Sequence, residues 1–123
     1  MTREERIKLA EESQDSGVLD RLSRDREWSV RIQVAWNPNT PPDTLNRLSR
    51  DEDYFVRRGV AENPNTPVEI LDRLSRDGDY TIRSEVVRNP NTPVEILTRL
   101  SRDGRYTVRE GVLGFSATPL RTK

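Results

Sequence analysis

A chain of 123 residues is one domain's length, with room for a modest core. Hydrophobic residues make up 32% against 34% charged, a balance too poor for a compact globule but workable for an elongated stack of thin layers. The 21 Lys plus Arg cancel the 21 Asp plus Glu, so no global field draws the chain to nucleic acid or an anionic membrane, and the lack of Cys and His removes disulfides, thiolate metal sites and the commonest acid–base catalyst.

The chain starts MTREERIKLAEES, which holds no apolar run of signal-peptide length, and no later run is long enough to span a bilayer. The reading is a cytoplasmic protein without a membrane segment. Residues 1–17 form an atypical N-terminal capping segment. Within it RIKLAEE, from Arg6 to Glu12, resembles RRGVAEN, from Arg57 to Asn63, at an interval of 51 residues.

From Val18 onward the sequence repeats. Leu22, Leu48, Leu74 and Leu100 each lead into Ser-Arg-Asp at a spacing of 26 residues, and the pairs Val30-Arg31, Val56-Arg57, Ile82-Arg83 and Val108-Arg109 keep the same interval. A fixed period of this length marks a solenoid, in which each unit buries its apolar face only against its neighbours. About four repeats fill residues 18–113 of a single repeat domain. At the usual spacing of packed helices the body would be about 40 Å long.

One unit, Thr66 to Asn91, predicts two helices. Thr66 is expected to cap helix A, with Pro67 in its first turn and Glu69 completing a capping box. Leu71 and Leu74 share its buried face, and it ends near Ser75. Gly78 is expected to relax the turn RDGD. Helix B starts near Asp79 or Tyr80, buries Ile82, Val86 and Val87, and closes on a left-handed Asn89 before Pro90. The thrice-repeated NPNTP, at Asn37, Asn63 and Asn89, thus reads as a joint between units, with 3₁₀ turns an option in pieces so short. At the C-terminus, Phe115 to Pro119 occupies the NPNTP register in degenerate form, so residues 114–123 read as a degenerate last repeat and tail.

The pattern NPNTPxxxLxxLSRDxxxxVRxxVAxN, as it stands at Asn37 to Asn63, resembles the leucine-rich repeat variant family, bacterial arrays of short paired helices. The resemblance extends from about Val18 to Leu113 and implies a right-handed superhelix that alternates α with 3₁₀ helices. Some members carry an N-terminal cysteine cluster for an iron–sulphur centre; this chain has no Cys, so no cofactor is carried over. The expected fold is an all-α, right-handed α-solenoid of 26-residue two-helix repeats.

Two residue columns invite a functional reading beside a structural one. Asp25, Asp51, Asp77 and Asp103 recur with Arg31, Arg57, Arg83 and Arg109, either as an ion-pair ladder between units or as a row of arginines free for phosphates. Identity in every unit favours the ladder, because half-buried charges need partners. Trp28, Tyr54, Tyr80 and Tyr106 could stack bases or close the turn between helices A and B, and the repeated position favours packing.

The B helices differ where packing does not force them to agree: Ile32, Arg58, Ser84 and Glu110 in one row, Gln33, Gly59, Glu85 and Gly111 in a second, and Trp36, Glu62, Arg88 and Gly114 in a third. An extended face of this kind is what solenoids use for binding. Ile32, Trp36, Arg58, Glu62, Ser84, Glu85, Arg88 and Glu110 are the candidate binding residues. Trp36 is the candidate anchor, unless it fills a gap against the N-terminal helix. No catalytic or metal site emerges: Glu52 and Asp53 sit on a turn, and the acidic clusters lack calcium-loop spacing. The expected function is a non-enzymatic protein or peptide binding module with no cofactor. Nucleic-acid binding through an arginine-lined concave face is the second reading, and a structural spacer or assembly repeat the third.

Overall fold

The structure is a computed structural model that describes residues 1–121, with side chains through Gly114. Among these residues the chain is all helical: α1 (Arg3–Glu12), α2 (Ser16–Leu22), α3 (Trp28–Trp36), α4 (Pro42–Leu48), α5 (Tyr54–Glu62), α6 (Val68–Leu74), α7 (Tyr80–Arg88), α8 (Val94–Leu100) and α9 (Tyr106–Arg121). Pairs α2/α3, α4/α5, α6/α7 and α8/α9 form successive units of a right-handed solenoid. The B helices α1, α3, α5, α7 and α9 pack each on the next in one row. The A helices α2, α4, α6 and α8 form a second row, each lodged against the B helices before and after it.

Helices of seven and nine residues are too short to hold together alone, so burial must stabilise them. Leu45, Leu48, Leu71, Leu74 and Leu100 from the A row meet Val30, Val34, Val56, Val60, Ile82 and Val86 from the B row in one continuous core, none more than 2% exposed. Each A helix ends on a serine whose hydroxyl donates to the carbonyl three residues back, as Ser75 does to Asp72. The chain then tightens, with Arg76 N–H on Arg73 O and Asp77 N–H on Leu74 O. The 3₁₀ character expected from the resemblance is limited to single bonds of this span at helix ends and joints; both helices of each unit are α.

Three local expectations need correction. Thr66 is not the cap of α6; Pro67 holds that position without a side-chain bond, and the Thr66 hydroxyl is fully buried and donates to Val60 O at 2.6 Å. The threonine therefore closes the preceding helix instead of opening the next. Asn89 is extended (φ −72°, ψ 129°), not left-handed, and the described residues contain no positive φ. Gly78 needs no special conformation either, which is why Arg26 and Glu52 stand in its place in other units.

At the front, α1 behaves as a B helix without its A partner. Arg6 Nε donates to Asp25 at 2.8 Å as Arg31 Nε does to Asp51 at 2.9 Å, and Ala10 O accepts from Asn37 as Ala35 O does from Asn63. At the back, α9 runs straight through the Phe115 to Pro119 register where earlier B helices stop. Phe115 and Ser116 stand there in place of Asn89 and Pro90, so the Asn-Pro break that ends the earlier B helices is absent at this point. The rest of the expected tail, residues 122 and 123, lies outside the described residues.

Candidate functional site

The joints between units are made by polar side chains that recur from repeat to repeat. Three of the column arginines grip two units: Arg57 Nη1 donates to Asp51 O of its own unit at 2.6 Å, and Nε donates to the Asp77 carboxylate of the next at 2.9 Å. Arg31 and Arg83 do the same with Asp51 and Asp103, and these side chains are 10–21% exposed. Each aspartate also accepts from the backbone two residues on, as Asp77 does from Asp79 N–H. Arg109, at the end of the row, keeps the carbonyl bond to Asp103 but has no carboxylate partner among the described residues. In the A row Arg47, Arg73 and Arg99 reach back to Ser23, Ser49 and Ser75 of the preceding unit. The ladder reading of the Arg and Asp columns therefore holds.

The variable positions behave differently. Trp36 Nε1 donates to Glu62 Oε1 at 2.7 Å, one unit away. Glu62 lies 3.9 Å from Arg58, Arg58 Nη2 donates to Glu85 at 3.2 Å, and Arg88 approaches the same Glu85 oxygen at 3.6 Å. Five of the candidate residues are thus joined in one polar chain across α3, α5 and α7. Ile32 is not presented on the surface: it is 7% exposed and belongs to the core. The Glu85 side chain is 11% exposed, covered between two arginines, whereas Arg88 is 75% exposed. Ser84 is half-buried and Glu110 is exposed on α9, outside this chain of contacts.

A cleft opens between α3 and α5. Trp28, Ile32 and Trp36 follow one another at helical spacing along α3, and Phe55, Arg58 and Glu62 face them from α5, enclosing ≈ 320 Å³. Gly59 sits at the middle of this contact, where a Cβ would lie 3.1 Å from Ala35 Cβ and 3.3 Å from Ile32. Its missing side chain lets the two helices close at the floor of the cleft. Trp28 is 45% exposed, Trp36 43%, Tyr54 40% and Phe55 39%, the largest grouping of exposed rings on the molecule's described surface. Phe55 stacks on Trp28 at 5.5 Å and on Tyr54 at 4.2 Å between centroids.

Phe55 escaped the sequence reading because it lies beside the aromatic column, aligned with Ser29, Thr81 and Thr107; comparison of that row would have singled it out. The aromatic column is only partly packed, and Tyr80 is covered by the Arg105 guanidinium at 3.9 Å. Trp36 does not plug a gap against α1. One side faces the aromatic cleft; the other borders a second cleft of ≈ 270 Å³ lined by Glu11, Gln33, Asn37 and Pro38.

Among the described residues no cluster of three or more His, Cys, Asp or Glu is arranged to hold a metal, and no helix is long and apolar enough to cross a membrane. Searches of curated proteins and of solved structures returned no match. The model of the leucine rich repeat variant family matches residues 28–53, 54–79 and 80–104, each match beginning at a B helix. Those three contiguous matches take in more than half of the chain and reproduce the 26-residue unit seen in the packing, so the chain belongs to the leucine rich repeat variant family.

Proposed function

We propose that this chain is a non-enzymatic module that binds protein or peptide through the B-helix face, with the α3–α5 cleft as its anchor site. The observation that carries this reading is the exposed ring surface of Trp28, Trp36, Tyr54 and Phe55, in which Trp36 and Phe55 stand where the other units carry no ring. Exposed aromatic groups that cluster over an apolar floor are the usual centre of an interface. Arg58, Glu62, Glu85 and Arg88 lie to one side and fix the orientation of the rim.

The nucleic-acid reading asked the arginine column to hold phosphates. Arg31, Arg57 and Arg83 are instead occupied by Asp51, Asp77 and Asp103, which supports protein over nucleic acid. A spacer role leaves the exposed rings without a reason.

The test is selection of a displayed random-peptide library on the immobilised full chain. Selected peptides should bind the parent chain and lose about tenfold or more in affinity for Trp36→Ala or Phe55→Ala, both checked by circular dichroism for retained helix. Peptides that bind parent and variants equally would move the site elsewhere.

A further inference from the structure

The two clefts beside Trp36 differ in chemistry, and that difference specifies a partner. The α3–α5 cleft is apolar at its floor, with Ile32 beneath Trp28, Trp36 and Phe55. The carboxylate on its edge, Glu62, is already taken by the Trp36 N–H and the nearby Arg58. On the other side of Trp36 stands Glu11, exposed on α1 and without an ion-pair partner among the described residues. Lys8, one turn before it, makes no pair with it. An exposed indole next to an unpaired carboxylate is suited to a cation: the ring face attracts it through the quadrupole and the carboxylate neutralises it. A guanidinium–ring contact already occurs elsewhere in the chain, where Arg105 lies 3.9 Å from the Tyr80 ring centre.

Resting on the peptide-binding reading above, we infer that the partner segment carries an arginine, its guanidinium laid on Trp36 and paired with Glu11, next to a large apolar side chain seated in the Trp28–Ile32–Phe55 cleft. In an extended peptide, residues two apart point the same way and lie about 7 Å from each other, enough to straddle one indole. An arginine suits the site better than a lysine because its planar fork stacks on the ring and still reaches the carboxylate. The arginines already on this face do not oppose the incoming charge strongly. Arg58 is held between Glu62 and Glu85, and Arg88 sits two units from Trp36 and three from α1.

The experiment uses the full chain, isotope-labelled, with its two tryptophans giving two indole N–H resonances that Trp28→Phe assigns. The probes are the peptides acetyl-Gly-Leu-Ser-Arg-Gly-amide and the same peptide with citrulline for arginine, which keeps the shape and removes the charge. The arginine peptide is expected to move the Trp36 resonance and to bind roughly tenfold more tightly than the citrulline peptide, and Glu11→Gln is expected to remove that preference. Equal affinities for the two peptides, or a preference unchanged by Glu11→Gln, overturn the arginine site and leave the apolar anchor standing. Silence of both indole resonances with either peptide also overturns it, while the selected peptides of the preceding experiment judge the binding module separately.

Discussion

At the scale of the residue, the first asparagine of each NPNTP carries more than a turn. Asn63, 1% exposed, donates through Nδ2 to Ala35 O at 2.8 Å and to Asn37 O at 3.0 Å, and its Oδ1 accepts from Asn65 N–H at 2.8 Å. One side chain thereby closes its own turn and satisfies two carbonyls at the end of the preceding B helix. The second asparagine, Asn65, is exposed and makes one bond, to Pro38 O. Removing Asn63 strands buried backbone groups, so Asn63→Ala is expected to cost about 3 kcal/mol, whereas Asn65→Ala should cost less than about 1 kcal/mol. Urea unfolding monitored by circular dichroism checks both, with an unchanged slope showing that the folded state is intact. The sequence made the break between helices legible, because Asn and Pro carry that signal locally. It did not make the cross-unit bonds legible, because the acceptors are carbonyls of another unit whose direction depends on the stack. Thr66 illustrates the same limit: a threonine before a proline is a good cap by rule, and here its hydroxyl instead joins the Asn63 N–H on Val60 O, behind it.

At the scale of the element, charge fixes how one helix pair sits on the next. Asp103 shows the balance: burial raises its carboxyl, but the Arg83 guanidinium and the Arg105 N–H outweigh this and leave it below its ordinary value of 3.8. The hydroxyl of Thr81, against the opposing effect of burial and with help from the Thr81 N–H, likewise holds Asp79 below 3.8. A carboxyl lowered by folding lends stability that is complete above its unfolded value and is lost as pH falls through its folded value. The urea midpoint should therefore be level through neutral pH and decline as pH drops below about 4. Arg83→Gln removes the main lowering partner of Asp103, so that variant should be less stable at neutral pH and its midpoint should fall less on acidification. Equal midpoints at neutral pH and an equally deep decline in both chains would mean that the ladder does not couple the units. The pairing of the Arg and Asp columns was readable from their constant spacing. Its reach was not: Arg57 might have turned to Asp51 of its own unit, and only the stack shows it taking that residue's carbonyl and the next unit's carboxylate.

At the scale of the whole molecule, each unit touches only its neighbours, so stability is close to a sum over units and joints. Such a chain tolerates loss of a unit if the new joint fits. Two deletions of one period separate the joint from the unit. Removing residues 80–105 joins Asp79 to Tyr106, keeps the column aspartates and arginines in register, and sets Gly111 where Glu85 packed on α5. A glycine adds no atoms there, and every residue lining the α3–α5 cleft is kept, with Arg58 losing only its Glu85 partner. Removing residues 54–79 joins Asp53 to Tyr80 with the same register, but sets Glu85 where Gly59 lay. Even a Cβ at that place meets Ala35 at 3.1 Å and Ile32 at 3.3 Å, so a glutamate must force α3 and its neighbour apart. The period, identical in both cases, predicts equal outcomes; the packing predicts unequal ones. Both shortened chains should give helical spectra. The second should be less stable than the first by about 1–3 kcal/mol, the usual cost of overpacking, and should lose the peptides selected by the parent chain. Equal urea midpoints for the two deletions would mean that α3 and α5 do not close on Gly59, and the floor of the proposed binding cleft would fall with it.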